Sequence, residues 1–486
     1  MMMMSGWFFA ISILVISISE TIRWIYRWRN PKCKGILPPG SMGLPLLGET
    51  LSFIVTANSI DIHPFVRKRM NRYGPLFKTS IAGRSIVVST DPDFNDFVFR
   101  QEGKLVEMWY MDSFAKLLRQ DTTAASGHVH KYLRHLVMSH FGVETLKTRL
   151  LPQLECAINR GLQEWAKQPN VQLKDQTAAM IFEFTAKHML SYDPERSSDD
   201  NIVGNLSNFL EGLMSFPLRI PGTAFYRCRQ RQQKVMKVIS KIVEERMKRS
   251  NSQGDFVDEM VEDMRTETFM TKEFASHVLF GILLASFETI SSTVALAINY
   301  LSEHPSLLQQ LTEEHEEILN KRRGGNPGGT DGLVWEDYRS MNFTHDVVNE
   351  SLRLANVAPG ILRRVIKDIH VNGYTIPRGW AIMVVSAAQH LNPNTFEDPL
   401  TFDPSRWKNT GSNAKAKNFM AFGGGGRTCA GADFSKVLMA VFLHVLVTKY
   451  RWTKIKGGDV VRSPTLGFAD GFYVSVSPKH ASNIEE

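Results

Sequence analysis

Cysteine is scarce and scattered. Cys33, Cys156, Cys228 and Cys429 in 486 residues form no CxxC pair and no evenly spaced framework, which argues against a disulfide scaffold or a zinc site and fits a reducing, cytosol-facing compartment. The one glycine-rich run lacks the Gly-Lys-Ser/Thr ending of a phosphate-binding loop. No nucleic-acid motif accompanies the net charge of +8, which is spread along the chain, so a membrane surface or an acidic protein, not nucleic acid, is the expected partner. Internal repeats and glycine-serine linkers are also missing. A length that by size alone holds about three domains therefore reads as one body, and 43% hydrophobic residues suffice for a large core.

Charge is missing from Met1 to Ser19, which includes the apolar run Trp7 to Ile16. With its flanks that stretch is long enough for one membrane-spanning helix. A cleaved signal peptide is the rival, but positive charge is absent before the run and Glu20 to Arg23 offers no small-x-small cleavage site. The cations Arg23, Arg27, Arg29, Lys32 and Lys34 follow it, which puts the body on the cytosolic side. The prolines of Leu37 to Gly48 predict a stiff extended connector. The expected organisation is an anchor at 1–28, a basic, proline-rich hinge at 29–48 and a catalytic body at 49–486.

The body reads as mainly α with small β-sheets. Helices are expected from His63 to Tyr73, from Asp91-Pro92, and in series over Leu146 to Gln168, Lys174 to Leu190, Ile202 to Met214, Phe225 to Arg249 and Lys272 to Ser302. Others cover Phe343 to Leu354 and Phe434 to Tyr450. Strands are expected at Leu76 to Ile81, Ser85 to Ser89 and Ala381 to Ala387, with a hairpin around Asn372-Gly373. Arg322 to Gly329 reads as a loop, and Lys104 to Gly127 is aromatic but aperiodic, suiting either a pocket rim or a surface loop.

Chemistry concentrates in Phe422 to Gly431, where four glycines and Arg427 precede Cys429. A thiolate ligates haem iron, glycines let backbone approach a flat cofactor, and a nearby arginine can neutralise an anionic edge. Local chemistry leaves an incidental cysteine equally open. The following helix would start at the thiolate, where its N-terminus favours negative charge. Glu288 and Thr289 interrupt an apolar helix, which is costly unless the polar groups are satisfied or used; a surface face is the bland alternative. His130 and Arg134 share a helical face, and Glu350 and Arg353 are three apart, spacings that plain surface pairs also show.

Taken together the pieces resemble the cytochrome P450 family over nearly the whole chain. The haem-loop pattern is met by Phe422, Gly425, Arg427, Cys429 and Gly431, the Glu-x-x-Arg element by Glu350 and Arg353, and the Phe-x-Pro-x-Arg-Trp meander by Phe402, Pro404, Arg406 and Trp407. The resemblance implies a haem-thiolate monooxygenase with the cytochrome P450 fold, with haem b held at its iron by Cys429. It implies that His130, Arg134, Arg363 and Arg427 meet the propionates, that Phe422 opens the haem loop, and that Glu350, Arg353 and Arg406 form a structural network. Glu288 and Thr289 would deliver protons, although Ser286 and Ile290 depart from the family's motif. It further implies NADPH used through NADPH-cytochrome P450 reductase, a monomer, and a single pass through the endoplasmic reticulum membrane. A basic patch of Lys131, Lys436 and Arg119 would face the acidic reductase.

The hinge, hairpin and haem-loop sequences are most similar to plant members that oxidise sterols, brassinosteroids and triterpenoids, which implies a lipophilic polycyclic substrate. The family's substrate-facing segments map to Lys104 to Thr123, Phe209 to Phe216, Phe280 to Phe287, Val357 to Leu362 and Leu466 to Phe472. They contain Trp109, Phe114, Phe287, Leu362 and Phe468, residues equally suited to ordinary core. A haem-thiolate isomerase or dehydratase, needing no reductase, and a non-catalytic haem sensor are the alternatives. Retention of Glu288-Thr289 counts against the first.

Overall fold

The computed structural model describes residues 2–118, 127–192, 209, 219–249, 254–325, 332–408, 418–463 and 465–479. Most of the expected helix Ile202 to Met214, together with Arg119, lies outside them.

Helix α1 (Met2–Arg29) carries exposed Ile13, Leu14, Val15, Ile16 and Ile18. At its end, Trp28 Nε1 donates to the carbonyl of Met42 (3.2 Å). The connector after it is not a free strut. Lys78 N–H donates to Pro39 O (2.8 Å) and Glu49 N–H to Ser80 O (2.7 Å), so the connector is laced to strand β1 (Leu76–Ile81). Gly40 permits this closeness, because a Cβ there would lie 2.1 Å from Lys78 O.

Helix α2 (Pro64–Tyr73) ends at Gly74 with φ of 90°. Strand β1 then pairs antiparallel with β2 (Arg84–Ser89) across Ala82 and Gly83, both at positive φ, as two-residue hairpin turns require. Asp91 caps α3 (Pro92–Arg100), accepting from the N–H groups of Asp93 and Phe94. The aperiodic aromatic stretch holds a strand, β3 (Val106–Met108), and a short helix, α4 (Asp112–Leu118). Next come α5 (Gly127–Phe141), a wide π turn over Leu146–Leu150, α6 (Leu151–Ala166), β4 (Val171–Gln172), α7 (Leu173–Leu190), α8 (Ala224–Lys248) and α9 (Phe256–Asp263).

Helix α10 (Lys272–Glu303) is the axis of the molecule, packed against α7 and α8. It runs unbroken through Ala285–Thr289. Among the described residues it is the one helix long and apolar enough to cross a membrane, yet most of it is buried in the core. Helix α11 (Pro305–Gly325) continues through Arg322–Gly325, where a loop was expected from the glycines. Two glycines at a helix's end cost little, since the last turn is where the chain leaves the helix anyway.

Helix α12 (Asn342–Ala355) closes on Asn356 in the left-handed conformation. Strands β5 (Ile361–Val365), β6 (Ile369–Val371), β7 (Tyr374–Ile376) and β8 (Ala381–Val384) follow; β6 and β7 form the expected hairpin, with Asn372 and Gly373 at φ of 49° and 77°. The main sheet runs β1-β2-β8-β5-β3, with β2 and β8 parallel. Its central strand β8 is buried on both faces, as a strand so placed must be. Helix α13 (Ala432–Lys449) begins three residues after Cys429, and β9 (Tyr450–Gly457), β10 (Val460–Arg462), β11 (Leu466–Phe468) and β12 (Phe472–Pro478) complete two small sheets.

Candidate haem-thiolate site

The cysteine loop is built by short-range bonds. Cys429 N–H donates to Phe422 O (3.0 Å), Thr428 N–H to Gly425 O (3.2 Å), and the Thr428 hydroxyl to the same carbonyl (2.6 Å). The glycines are required for a reason other than cofactor approach. A Cβ on Gly424 would sit 2.7 Å from the Phe99 ring, and one on Gly425, whose φ is +65°, would sit 2.4 Å from Phe99 O. They seat the loop on the last turn of α3. Gly426, by contrast, has open space around it.

The Cys429 thiol is accessible yet lies well inside the molecule, where burial pushes its pKa up against the lowering effects of the Gly431 N–H and of Arg134. Several predicted residues converge on it. Arg134 on α5 donates to Thr428 O (2.5 Å). His130, one turn earlier, is held neutral with its pKa lowered to about 4, by burial and then by Arg427, Arg134 and Arg363. Arg363 on β5 is almost fully buried, its guanidinium 5.4 Å from the centre of the Phe99 ring.

Two residues that sequence reading did not single out complete the cluster. Glu102 lies between the arginines, its Oε2 at 2.8 Å from Arg363 Nε and its Oε1 at 3.1 Å from Arg427 Nε. Tyr110 stacks on Phe114 (4.7 Å), and burial raises its pKa within the field of Arg363, Arg427, Cys429 and Glu102. No motif flags either, because their partners are 261 and 325 positions distant along the chain for Glu102.

Behind the loop, Glu350 and Arg353 are both fully buried and paired through two bonds of 2.8 Å. Glu350 also accepts from Arg406 Nε (2.9 Å), Trp407 Nε1 (3.0 Å) and Asp403 N–H (3.0 Å). Arg353 Nη1 donates to the carbonyls of His390 (2.9 Å) and Pro399 (2.7 Å). His390 carries the network to the haem loop. Its Nε2 accepts from Met420 N–H (2.8 Å), so its Nδ1–H donates to Asn356 Oδ1 (2.7 Å). This pair is a structural brace and not a surface pair.

On α10, Ala285 and Thr289 are the sole exposed residues between Phe274 and Leu301. Four apart, they lie on one face of the helix. Glu288 turns elsewhere, its Oε1 2.7 Å from Lys174 Nζ of α7. Ser286 bonds its own helix at Leu283 O (2.8 Å), and Thr293 donates to Thr289 O (2.9 Å), so the serine in place of glycine is satisfied locally.

Of the substrate-pocket candidates, Trp109, Phe114, Leu362 and Phe468 are partly buried against the main core. Phe287 takes the ordinary-core alternative: it is buried, its ring meets Phe182 of α7 edge-on at 5.8 Å, and it lies half a helical turn from Ala285 and Thr289. Phe209 is buried against Phe280 (5.4 Å), and 210–216 lie outside the described residues. Lys131 is exposed, but Lys436 is half-buried near the rings of Phe419 and Phe422 (5.9 and 5.8 Å) instead of projecting from a patch.

A cysteine loop braced from behind and a cluster of buried and half-buried cations beside it fit a haem-thiolate protein, and the chain belongs to the cytochrome P450 family, whose model matches residues 38–476. Among its relatives, a beta-amyrin 16-alpha-hydroxylase of Maesa lanceolata is 45% identical, the match covering 97% of this chain and 98% of that one. A cucurbitadienol 11-hydroxylase of Siraitia grosvenorii is 43% identical over 97% and 100% of the two chains. The fold matches retinoic-acid-bound cyanobacterial cytochrome P450 with a TM-score of 0.80 at 24% identity, covering 92% of this chain and all of that one.

The residues present fit haem. Arg134, Arg363 and Arg427 gather three buried or half-buried cations around His130, with Arg134 acting on the thiol itself, and Glu102 is paired with two of them. The surplus positive charge asks for anionic partners, since uncompensated buried charge is costly. Haem propionates are such partners.

Proposed function

We infer that this chain is a haem-thiolate monooxygenase that oxidises a C–H bond of a bulky apolar terpenoid, a triterpenoid or sterol skeleton. The observation that carries it is the grouping of Cys429 with Arg134, Arg363 and Arg427, Arg134 donating to Thr428 O beside the thiol. The hydroxylase names of both relatives support the substrate class, and Trp109, Phe114, Leu362 and Phe468 offer apolar surface for it.

When bound through Cys429, haem supplies oxygen activation. The residues of the chain do the rest. Arg134, Arg363 and Arg427 orient the propionate edge, with His130 as a neutral neighbour and Phe422 fixing the loop through its carbonyl. Thr289 holds a proton at its hydroxyl on the oxygen side. Glu288, paired with the partly exposed Lys174, replaces that proton from solvent. Electrons come from NADPH through cytochrome P450 reductase, which docks near Lys131. The anchor at 1–28 and the hinge at 29–48 hold the monomeric body, 49–486, on the cytosolic face of the endoplasmic reticulum membrane in a single pass.

The test is microsomes containing this chain and reductase, given NADPH and a panel of triterpene and sterol scaffolds and read by mass spectrometry. A product heavier by one oxygen, dependent on NADPH, is expected. Isomerised or dehydrated product formed without reductase would replace this reading with a redox-neutral one.

A further inference from the structure

Glu102 sits in the turn between α3 and β3, where Gly103 at φ of 78° reverses the chain and Gly103 N–H donates to Val106 O (2.7 Å). Its carboxylate is fixed from three directions. Met108 N–H donates to Oε1 (3.0 Å), Arg427 Nε lies 3.1 Å from the same oxygen, and Arg363 Nε lies 2.8 Å from Oε2. Met108 and Arg363 are register partners across β3 and β5, so the sheet itself sets the distance between the carboxylate and one arginine. The other arginine belongs to the cysteine loop.

Glu102 meets both arginines at Nε, the nitrogen on the stem. An arginine held there has its planar end aimed by the stem, as outer-shell partners aim the ligands of a metal. All three side chains are nearly buried, at 14% exposed for Glu102, 4% for Arg363 and 7% for Arg427. In such surroundings charges interact strongly and are weakly screened. Three guanidiniums less one carboxylate leave two positive charges, and haem carries two propionates.

We propose that Glu102 is a positioning residue for the haem: its carboxylate holds Arg363 and Arg427 at their stems and trims the local charge to match the two propionates, setting haem retention and reduction potential. The proposal rests on the haem reading above and not on the substrate, and its test uses no substrate, so failure of one is distinguishable from failure of the other. Removing the negative charge favours the reduced state, which carries one more electron.

The experiment compares the full-length, haem-loaded wild type with Glu102→Gln and Glu102→Asp by spectroelectrochemical titration and by the rate of haem transfer to apomyoglobin. Glu102→Gln keeps an acceptor for Met108 N–H, so a purely structural role leaves both readouts unchanged. The expected result is a higher potential and about tenfold faster haem loss in Glu102→Gln, with Glu102→Asp nearer to wild type. Wild-type potential and retention in Glu102→Gln overturn the proposal. Should Glu102→Gln emerge without haem, loading of Glu102→Asp supports a charged clamp, and failure of Glu102→Asp to load overturns it.

Discussion

Lys174 Nζ lies 2.7 Å from Glu288 Oε1, tying α7 to the middle of α10 one residue before Thr289. Both side chains are about one-fifth exposed, so the pair reaches solvent while adjoining Thr289. Lys174→Met keeps the length of the side chain and removes the charge. It is expected to retain haem while lowering product formed per NADPH several-fold, less than the roughly hundredfold or more that loss of the proton-transfer group itself costs. Oxygen diverted to peroxide is the accompanying measurement. Unchanged coupling would make the ion pair a helix contact only.

The two glycines before Arg427 separate packing from approach to the cofactor. Gly425→Ala places a methyl against Phe99 O at a positive φ and is expected to cost about 2 kcal/mol or more. Gly426→Ala meets nothing within 4 Å and is expected to be tolerated. Thermal melting and haem content of the two variants check this directly; equal effects would mean that Phe99 does not set the loop.

Buried histidines predict acid sensitivity. Burial lowers His390 to about 3 and His444 to about 4, and pushes His315 well below its ordinary value of 6.5, with His444 adding to the effect. His315 and His444 face each other at 3.0 Å. All three are neutral in the fold, whereas the unfolded chain takes up their protons below pH 6.5. Stability from these groups is therefore present above that pH and is lost as pH falls towards the folded values, by about 1.4 kcal/mol per pH unit for each proton. Melting temperature measured from pH 7.5 down to about pH 5 is expected to fall increasingly steeply. A flat profile would contradict the buried, neutral assignment.

Legibility in the sequence followed the range of the interactions. Glu350, Arg353 and Arg406 were readable as a network only through the family resemblance, since three-residue spacing fits a surface pair equally; the structure joins all three within 2.9 Å. The Asn372-Gly373 hairpin was readable for the same local reason. Glu102 and Lys174 were not, since their partners come from distant elements and nothing near them in the chain marks the contact. Phe287 shows the converse limit. The family resemblance placed it in a pocket segment, but the 3.6-residue period turns it towards Phe182. The glycine run was legible as a close approach, and only the fold shows that Phe99 is what it approaches.

The central claim is that Cys429 gives its thiolate to haem iron. The most direct measurement is the carbon monoxide difference spectrum of the reduced full-length protein in membranes, beside Cys429→Ser. The account predicts a red-shifted Soret band in the wild type and its loss in the variant. A wild-type spectrum without that shift, or one unchanged by Cys429→Ser, would contradict it.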